Sequence, residues 1–312
     1  MKSFQRLACV IVLAALALSN GSHAGDSDSS RFSFAAFGDT PYFAFEAVRL
    51  ETLIPQMNSQ ALAFVLHIGD LKSSRDRCDD RLYIARKQLF DMIRHPFVIV
   101  PGDNDWTDCH RKSGGEYDPL ERLRYFRELF YSAPPALPIE RESAQSGFAD
   151  YVENQRWTIG RIMFVTEHVV GSNNNLGRTP EADDEYRSRN AADLYWLRES
   201  FSLARERGLL GIVVAMHADP RFELSPARQA HTGFADFVQA LREETIAFGR
   251  PVLLIHGDNH TFRFDHPLRD VNSGTAIPTF TRLEVFGSPT AGWVKVTVDP
   301  ASGQLFSVEG HK

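Results

Sequence analysis

Four apolar runs in this chain end in Gly-Asp: FAAFGD at 34–39, AFVLHIGD at 63–70, PFVIVPGDNDW at 96–106 and LLIHGDNH at 253–260. Near-continuous apolar runs of this length read as strands buried on both faces. A glycine directly after such a strand lets the backbone turn sharply. Asp39, Asp70, Asp103 and Asp258 therefore stand at strand ends. Helical patterns follow the first three strands, over 44–58, over 81–95 and in DPLERLRYFRELF, where Pro119 is an early-turn residue. The order β-α-β-α-β-α predicts parallel strands covered by helices. In such sheets the loops at the carboxyl ends of the strands build the site, so the aspartates can converge.

The second half carries a hairpin turning near Ile159-Gly160, a polar loop over 171–190 and a helix ending at Gly208. A strand then runs into His217, and a further helix precedes LLIHGDNH. The tail segments TFTRLEV, GWVKVTV and LFSVEG alternate as antiparallel strands do. Composition is ordinary for a globular chain, 43% hydrophobic and 24% charged. The expected fold is α/β (α+β), one domain over 32–312 with two packed sheets.

The N-terminus has a basic start, an apolar core over 7–18 and a small-residue stretch, Ser22-His23-Ala24. That pattern predicts a cleavable signal peptide over 1–24, with a flexible leader over 25–31 and a periplasmic or secreted location. The alternative is a membrane anchor, for which the apolar core is short; no stable span is expected after cleavage. The formal net charge of −6 argues against nucleic acid as a partner. Cleavage leaves two cysteines, Cys78 and Cys109, each in a loop after a Gly-Asp turn. An even pair in an exported chain suggests a disulfide, the alternative being two free thiols.

The strand-end polar residues, in order, are Asp39, Asp70, Asp103-Asn104-Asp105, His217 and Asp258-Asn259-His260. Gathered carboxylates repel unless compensated, and carboxylates with imidazoles suit Mn, Fe, Zn or Mg. Two neighbouring divalent ions could clamp a phosphoryl group and activate a water.

The order of these motifs resembles the calcineurin-like metallophosphoesterases, the superfamily that includes purple acid phosphatases. The resemblance runs from about residue 32 to 263 and implies a two-sheet β-sandwich flanked by helices, with two divalent metals at its centre. It implies Asp39 as the first metal ligand, Asp70 as the bridging aspartate, Asp103 in place of the family's asparagine, His217 as the lone histidine, and Asp258 and His260 in place of the last His-x-His. The sequence also departs from the family. The histidine of the first motif is absent, since Asp39 is followed by Thr40-Pro41-Tyr42. Ser73 stands where purple acid phosphatases have a tyrosine ligand, and Tyr42 is a candidate substitute. Asn104 replaces the histidine that assists the phosphate or leaving group; an amide can donate to phosphate but cannot act as a general acid. Asn104 and Asp105 are the candidate catalytic or ligand-orienting residues. The added carboxylates make the site harder, favouring Mn, Mg or Ca over Zn.

Three function classes follow. One is an exported metal-dependent phosphoesterase acting on a small phosphate ester. Another is a non-catalytic envelope protein of the same fold that binds a metal, a phosphate or a partner. The last is a metal-free, disulfide-braced envelope protein with a structural role. His67 reads as a buried core histidine, His256 as a candidate proton donor, His110 as a loop residue, and the acidic run 181–185 as a solvated face.

Overall fold

The computed structural model describes residues 30–145 and 147–312. The signal-peptide reading and most of the leader fall outside the described residues. Two sheets stack between two helical layers. The first sheet has the order β12-β11-β1-β2-β3, the second β4-β5-β6-β7-β8-β10-β9.

In the first sheet β1 (Phe32–Phe37), β2 (Val65–His67) and β3 (Phe97–Ile99) are parallel. The helices α1 (Ala44–Asn58), α2 (Asp80–Phe90) and α3 (Pro119–Tyr131) connect them and continue the chain. Residues alternate between two cores. Phe34 and Ala36 face the second sheet, whereas Ala35 and Phe37 pack with Leu50, Ile54 and Phe90 of the helices. This double burial is why the strands read as unbroken apolar runs. Helix α2 stops at Phe90, short of the expected 95.

The second sheet begins with β4 (Glu140–Arg141) and the antiparallel hairpin β5 (Gln155–Ile159) and β6 (Ile162–Thr166). β7 (Gly211–Ala215) and β8 (Val252–His256) follow in parallel. The polar loop expected over 171–190 is replaced by two other structures. Gly171–Asn174 forms one turn, α4, and α5 already starts at Pro180 and runs to Glu206. The helix starts early because Thr179 caps the Ala182 amide, Pro180 occupies the first turn, and Glu181 and Asp183 meet the positive end of the helix dipole. The acidic run 181–185 is thus helical, and Glu185 pairs with the buried Arg189. A short α6 (Pro226–Gln229) and then α7 (Ala235–Phe248) complete the outer layer, where Trp196, Phe201, Phe237 and Leu241 cover Val214 and Leu254.

The tail strands divide between the sheets. β9 (Arg263–Asp265) and β10 (Phe280–Glu284) join the second sheet, and β10 pairs with β8 in parallel, not antiparallel as expected. β11 (Trp293–Val298) and β12 (Phe306–His311) return to the first sheet, β11 lying antiparallel to β1. The return between β10 and β11 brings Ser288 onto the Asp39 carbonyl. Among the described residues no helix is long and apolar enough to cross a membrane.

Three carboxyls, Glu142, Glu167 and Asp193, lie fully buried beside β5, β6 and α5. Both oxygens of Glu167, and one each of Glu142 and Asp193, lack a hydrogen-bond partner. Burial pushes Glu142 up to about 8 and Asp193 up to about 7. The folded chain therefore holds protons on these carboxyls that the unfolded chain releases, so their contribution to stability is greatest at acid pH and is lost as pH rises through these values. Urea unfolding between pH 5 and 9 should show that decline. Glu142→Gln should flatten it and raise the midpoint at pH 9.

Candidate metal centre

The carboxyl ends of β1, β2, β3, β7 and β8 meet at one edge of the sandwich. Four candidate ligands there adopt left-handed backbone conformations: Asp39 (φ 51°), Asp70 (56°), Asp258 (76°) and His260 (61°). For a residue other than glycine such a conformation costs of order 1–3 kcal/mol, and it persists where surrounding contacts over-determine it. The contacts are visible. The Asp39 amide donates to the Gly69 carbonyl (3.0 Å), and the Asp39 carbonyl accepts from Ser288 N–H (2.9 Å). The Asp258 amide donates to the Asp39 carboxylate (3.1 and 3.2 Å).

The glycines before the aspartates serve close approach. A Cβ on Gly102 would strike the Asp70 carboxylate, and one on Gly257 would strike that of Asp39. These two turns thus leave room for the carboxylate of another, whereas a Cβ on Gly69 would strike the Gly102 backbone and the His217 ring.

Asp105 occupies a distinct place. Its Oδ2 accepts from the amides of Asp70 (2.9 Å) and Gly102 (2.8 Å), and its Oδ1 accepts from Leu71 N–H (2.9 Å). Both oxygens are committed to backbone, and Asp105 is fully buried. It fastens the turn after β2 to the turn after β3. Burial pushes its carboxyl up to about 6 despite these bonds. Asn104 donates its own amide to Asp70 Oδ1 (2.9 Å), and its Nδ2 bonds to Asp70 Oδ2 and Tyr42 Oη, the latter at 3.0 Å.

Two imidazoles face the carboxylates in the same way. His217 Nδ1 donates to the Ile68 carbonyl (2.8 Å), leaving Nε2 near Asp103 (3.1 Å), Asp70 (3.4 Å) and Asp258 (3.9 Å). His260 Nδ1 donates to the Ser288 carbonyl (2.7 Å), and its Nε2 lies 3.5 Å from Asp39. Fixing Nδ1–H on a carbonyl orients the ring and presents Nε2, as in histidine metal ligands. Potential ligand atoms of Asp39, Asp70 and His217 lie within 4.8 Å of one another, as do those of Asp103, His217 and Asp258. Burial opposes charge on His217, but Asp70, Asp103, Asp39 and Asp258 outweigh it and hold its pKa well above the ordinary value. Burial raises Asp70 strongly and carries Asp258 up to about 6. Hard oxygen donors with two oriented imidazoles fit divalent cations, which would offset the buried like charges gathered here.

Tyr42 also reaches the centre. Its hydroxyl donates to Asp70 Oδ2 at 2.5 Å and its ring meets His260 edge-on, with centroids 5.2 Å apart. The buried Glu46 holds the Tyr42 amide (2.5 Å) and accepts from Ser288 Oγ (2.6 Å). Ser73 instead sits in a local turn, bonded to Asp76 and Arg75. His67 is buried between Phe37 and Phe90, accepts from Gly69 N–H (3.1 Å), and is lowered to about 3 by burial. His256 donates Nδ1 to the Gly257 carbonyl and bonds to no site carboxylate among the described residues. Cys78 and Cys109 form a disulfide, tying the loops after β2 and β3.

Sequence reading missed Ser172. It lies in α4, where Ser172, Asn173, Asn174 and the following Asn175 are all left-handed. Its hydroxyl donates to Asp103 Oδ2 (2.7 Å). The signal was the run Ser-Asn-Asn-Asn, since asparagine tolerates positive φ best among non-glycine residues.

No protein-family model matches the chain, and no curated protein does. Solved structures do match it. A dimetal phosphatase from Danio rerio aligns over 90% of this chain and 96% of its own, with a TM-score of 0.55 and 12% identity. PhoD aligns over 86% of this chain and 64% of its own, with a TM-score of 0.55 and 13% identity. A purple acid phosphatase from yellow lupin seeds aligns over 90% of this chain and 54% of its own, with a TM-score of 0.49 and 12% identity. The chain has the calcineurin-like metallophosphoesterase fold, and at these identities the likeness is one of fold.

Asp105→Ala should strand three backbone amides and lower stability by about 3 kcal/mol or more, read as a shift of the urea midpoint. An unchanged midpoint would show that the two turns hold without this carboxylate.

Proposed function

We propose that this protein is an exported metal-dependent phosphoesterase. The observation that carries the reading is the pair of imidazoles anchored through Nδ1, each presenting Nε2 to carboxylates from separate strand ends. The fold, shared with a dimetal phosphatase, supports it. Export rests on the N-terminal pattern and the disulfide.

One Nε2 can serve one cation. His217 lies nearest Asp103 (3.1 Å) and Asp70 (3.4 Å), with Asp258 at 3.9 Å, and would serve a cation held with them; His260, 3.5 Å from Asp39, would serve a second. Divalent cations held there would lower the pKa of a coordinated water and offset charge on the phosphoryl group. Mn, Fe, Mg and Zn are the candidate ions. Asn104 and Tyr42 orient Asp70, and Asn104 Nδ2 is the amide available to a bound phosphate oxygen. Asp105 is a positioning residue acting through the backbone. No imidazole stands in the place of Asn104 to protonate a leaving group. General acid catalysis contributes roughly 100- to 10,000-fold, so leaving groups that depart as stable anions are favoured.

Two measurements test this. Elemental analysis after incubation with Mn should give close to two ions per chain, with loss in Asp70→Asn together with hydrolysis of 4-nitrophenyl phosphate; no uptake and no turnover would overturn the reading. Aryl phosphates should be turned over roughly 100-fold or more faster than alkyl phosphates. Equal rates at saturating metal would mean that a proton donor is present.

A further inference from the structure

Beside the metal centre lies a polar pocket of about 310 Å³. Thr107, His110 and Arg111 line it from the segment after β3, and Ser172, Asn175 and Arg178 from the segment after β6. Ser172 is the wall shared with the centre. Its hydroxyl donates to Asp103 Oδ2 (2.7 Å), and Arg111 Nη2 donates to the same Oγ (3.3 Å). The Arg111 guanidinium is thus two hydrogen bonds from a candidate metal ligand.

The pocket is positive, in contrast to the centre. Arg111 pairs with one carboxylate, Asp108, at 2.6 Å. Arg178 holds the Asn175 side-chain oxygen Oδ1, through Nε (3.3 Å) and Nη2 (3.1 Å). Among the described residues no carboxylate lies within ion-pair distance of Arg178. His110 donates Nδ1 to the Thr107 carbonyl (2.5 Å). Asp108 is the carboxylate of the lining, against two guanidinium groups; behind the lining Asp183 takes the Gly177 amide (2.6 Å), and Glu185, paired with Arg189, takes the Asn175 side-chain amide (2.8 Å).

The wall is built rigidly. Residues 172–175 are all left-handed, and side-chain bonds hold them there. Asn174 Oδ1 accepts from Val170 N–H (3.2 Å) and from the buried Arg189 (2.7 Å), and Asn174 Nδ2 donates to the Gly233 carbonyl (3.1 Å). Asn173 Oδ1 accepts from Gly233 N–H (2.9 Å). These bonds hold Ser172 on Asp103 and fix the start of the segment that carries Arg178.

We infer that this pocket binds a second phosphate group of the substrate, so that the protein acts on molecules whose scissile phosphoryl group is joined to another phosphate. The inference rests on the phosphoesterase reading and names its substrate class. A planar guanidinium matches phosphate oxygens, and such charge-assisted bonds are strong. The chemistry also fits the missing proton donor. Water adds to the phosphorus at the metal centre, and the bond from phosphorus to the bridging oxygen breaks. The second phosphate departs with the bridging oxygen and the electron pair, and a proton of the water passes to solvent. Arg111 and Arg178 neutralise the departing phosphate, so no protonated side chain is needed there.

Arg178→Gln is the informative change, because Arg178 is exposed and its removal leaves no carboxylate unpaired, whereas removing Arg111 would strand Asp108. In the Mn-loaded protein, kcat/KM is measured for inorganic diphosphate and for 4-nitrophenyl phosphate. Diphosphate should be preferred at least tenfold. The ratio should fall roughly 10- to 100-fold in Arg178→Gln, the loss of one charge-assisted contact, and recover in part in Arg178→Lys. A ratio unchanged in Arg178→Gln, or a wild-type preference for the aryl monoester, overturns the inference. If neither compound is hydrolysed, the phosphoesterase reading fails by itself, and calorimetric titration with inorganic diphosphate decides the pocket. Binding weakened tenfold in Arg178→Gln supports it, and equal or absent binding overturns it.

Discussion

The amides of Asp70, Leu71 and Gly102 all donate to one buried carboxylate, that of Asp105. Through these three bonds the turn after β2 cannot move relative to the turn after β3. Asp70 and Asp103 are thereby held with like charges close together, an arrangement that would otherwise spread apart. The disulfide between Cys78 and Cys109 braces the same two loops one layer further out. In the chain-entropy account, closing a loop of this length contributes about 3–4 kcal/mol. Covalent and hydrogen-bonded ties thus act on the same pair of connections.

The second sheet is joined to this edge through the site itself. His217 donates across the sandwich to the Ile68 carbonyl, and the Asp258 amide donates to Asp39. The Gly257 amide in turn donates to the His217 carbonyl, and the Ser288 amide to the Asp39 carbonyl. Residues that could hold metals are therefore also those that set the relative position of the two sheets at one end. Substitution there exchanges sheet-to-sheet contacts as well as donor atoms. The left-handed conformations at Asp39, Asp70, Asp258 and His260 mark where the backbone has yielded to this demand.

Charge is distributed unevenly around the centre. Four carboxylates, those of Asp39, Asp70, Asp103 and Asp258, face two imidazoles, with Asp105 buried behind them on backbone amides. The guanidinium groups of Arg111 and Arg178 stand beyond Ser172, outside the cluster. The anionic centre invites cations, and its cationic rim invites an anion. In the reading proposed above, Asn104 at the centre and this rim act together, so that a leaving phosphate would be neutralised and not protonated.

Much of the frame was legible from local pattern. The Gly-Asp turns, α1 over 44–58 and the hairpin around Gly160 all follow from periodicity and turn chemistry within a short window. So did the gathering of Asp39, Asp70, Asp103, His217, Asp258 and His260, because parallel strands deliver their carboxyl ends to one edge. The start of α5 at Pro180 was also written locally, in Thr179, Pro180 and Glu181, but the polar composition of 171–190 masked it. Other features were decided only by the tertiary structure. Alternation marks a strand without naming its partner, so nothing in Phe280–Glu284 or Trp293–Val298 specified parallel pairing with β8 for one and return to β1 for the other. The clasp of Asp105 on backbone amides, Tyr42 on Asp70, and Ser172 between Asp103 and Arg111 each join positions 28 to 69 residues apart or link separate turns. Such contacts depend on where sheets and loops come to rest. The sequence by itself determined which residues stand at strand ends; packing of one sheet on the other determined which of their atoms meet.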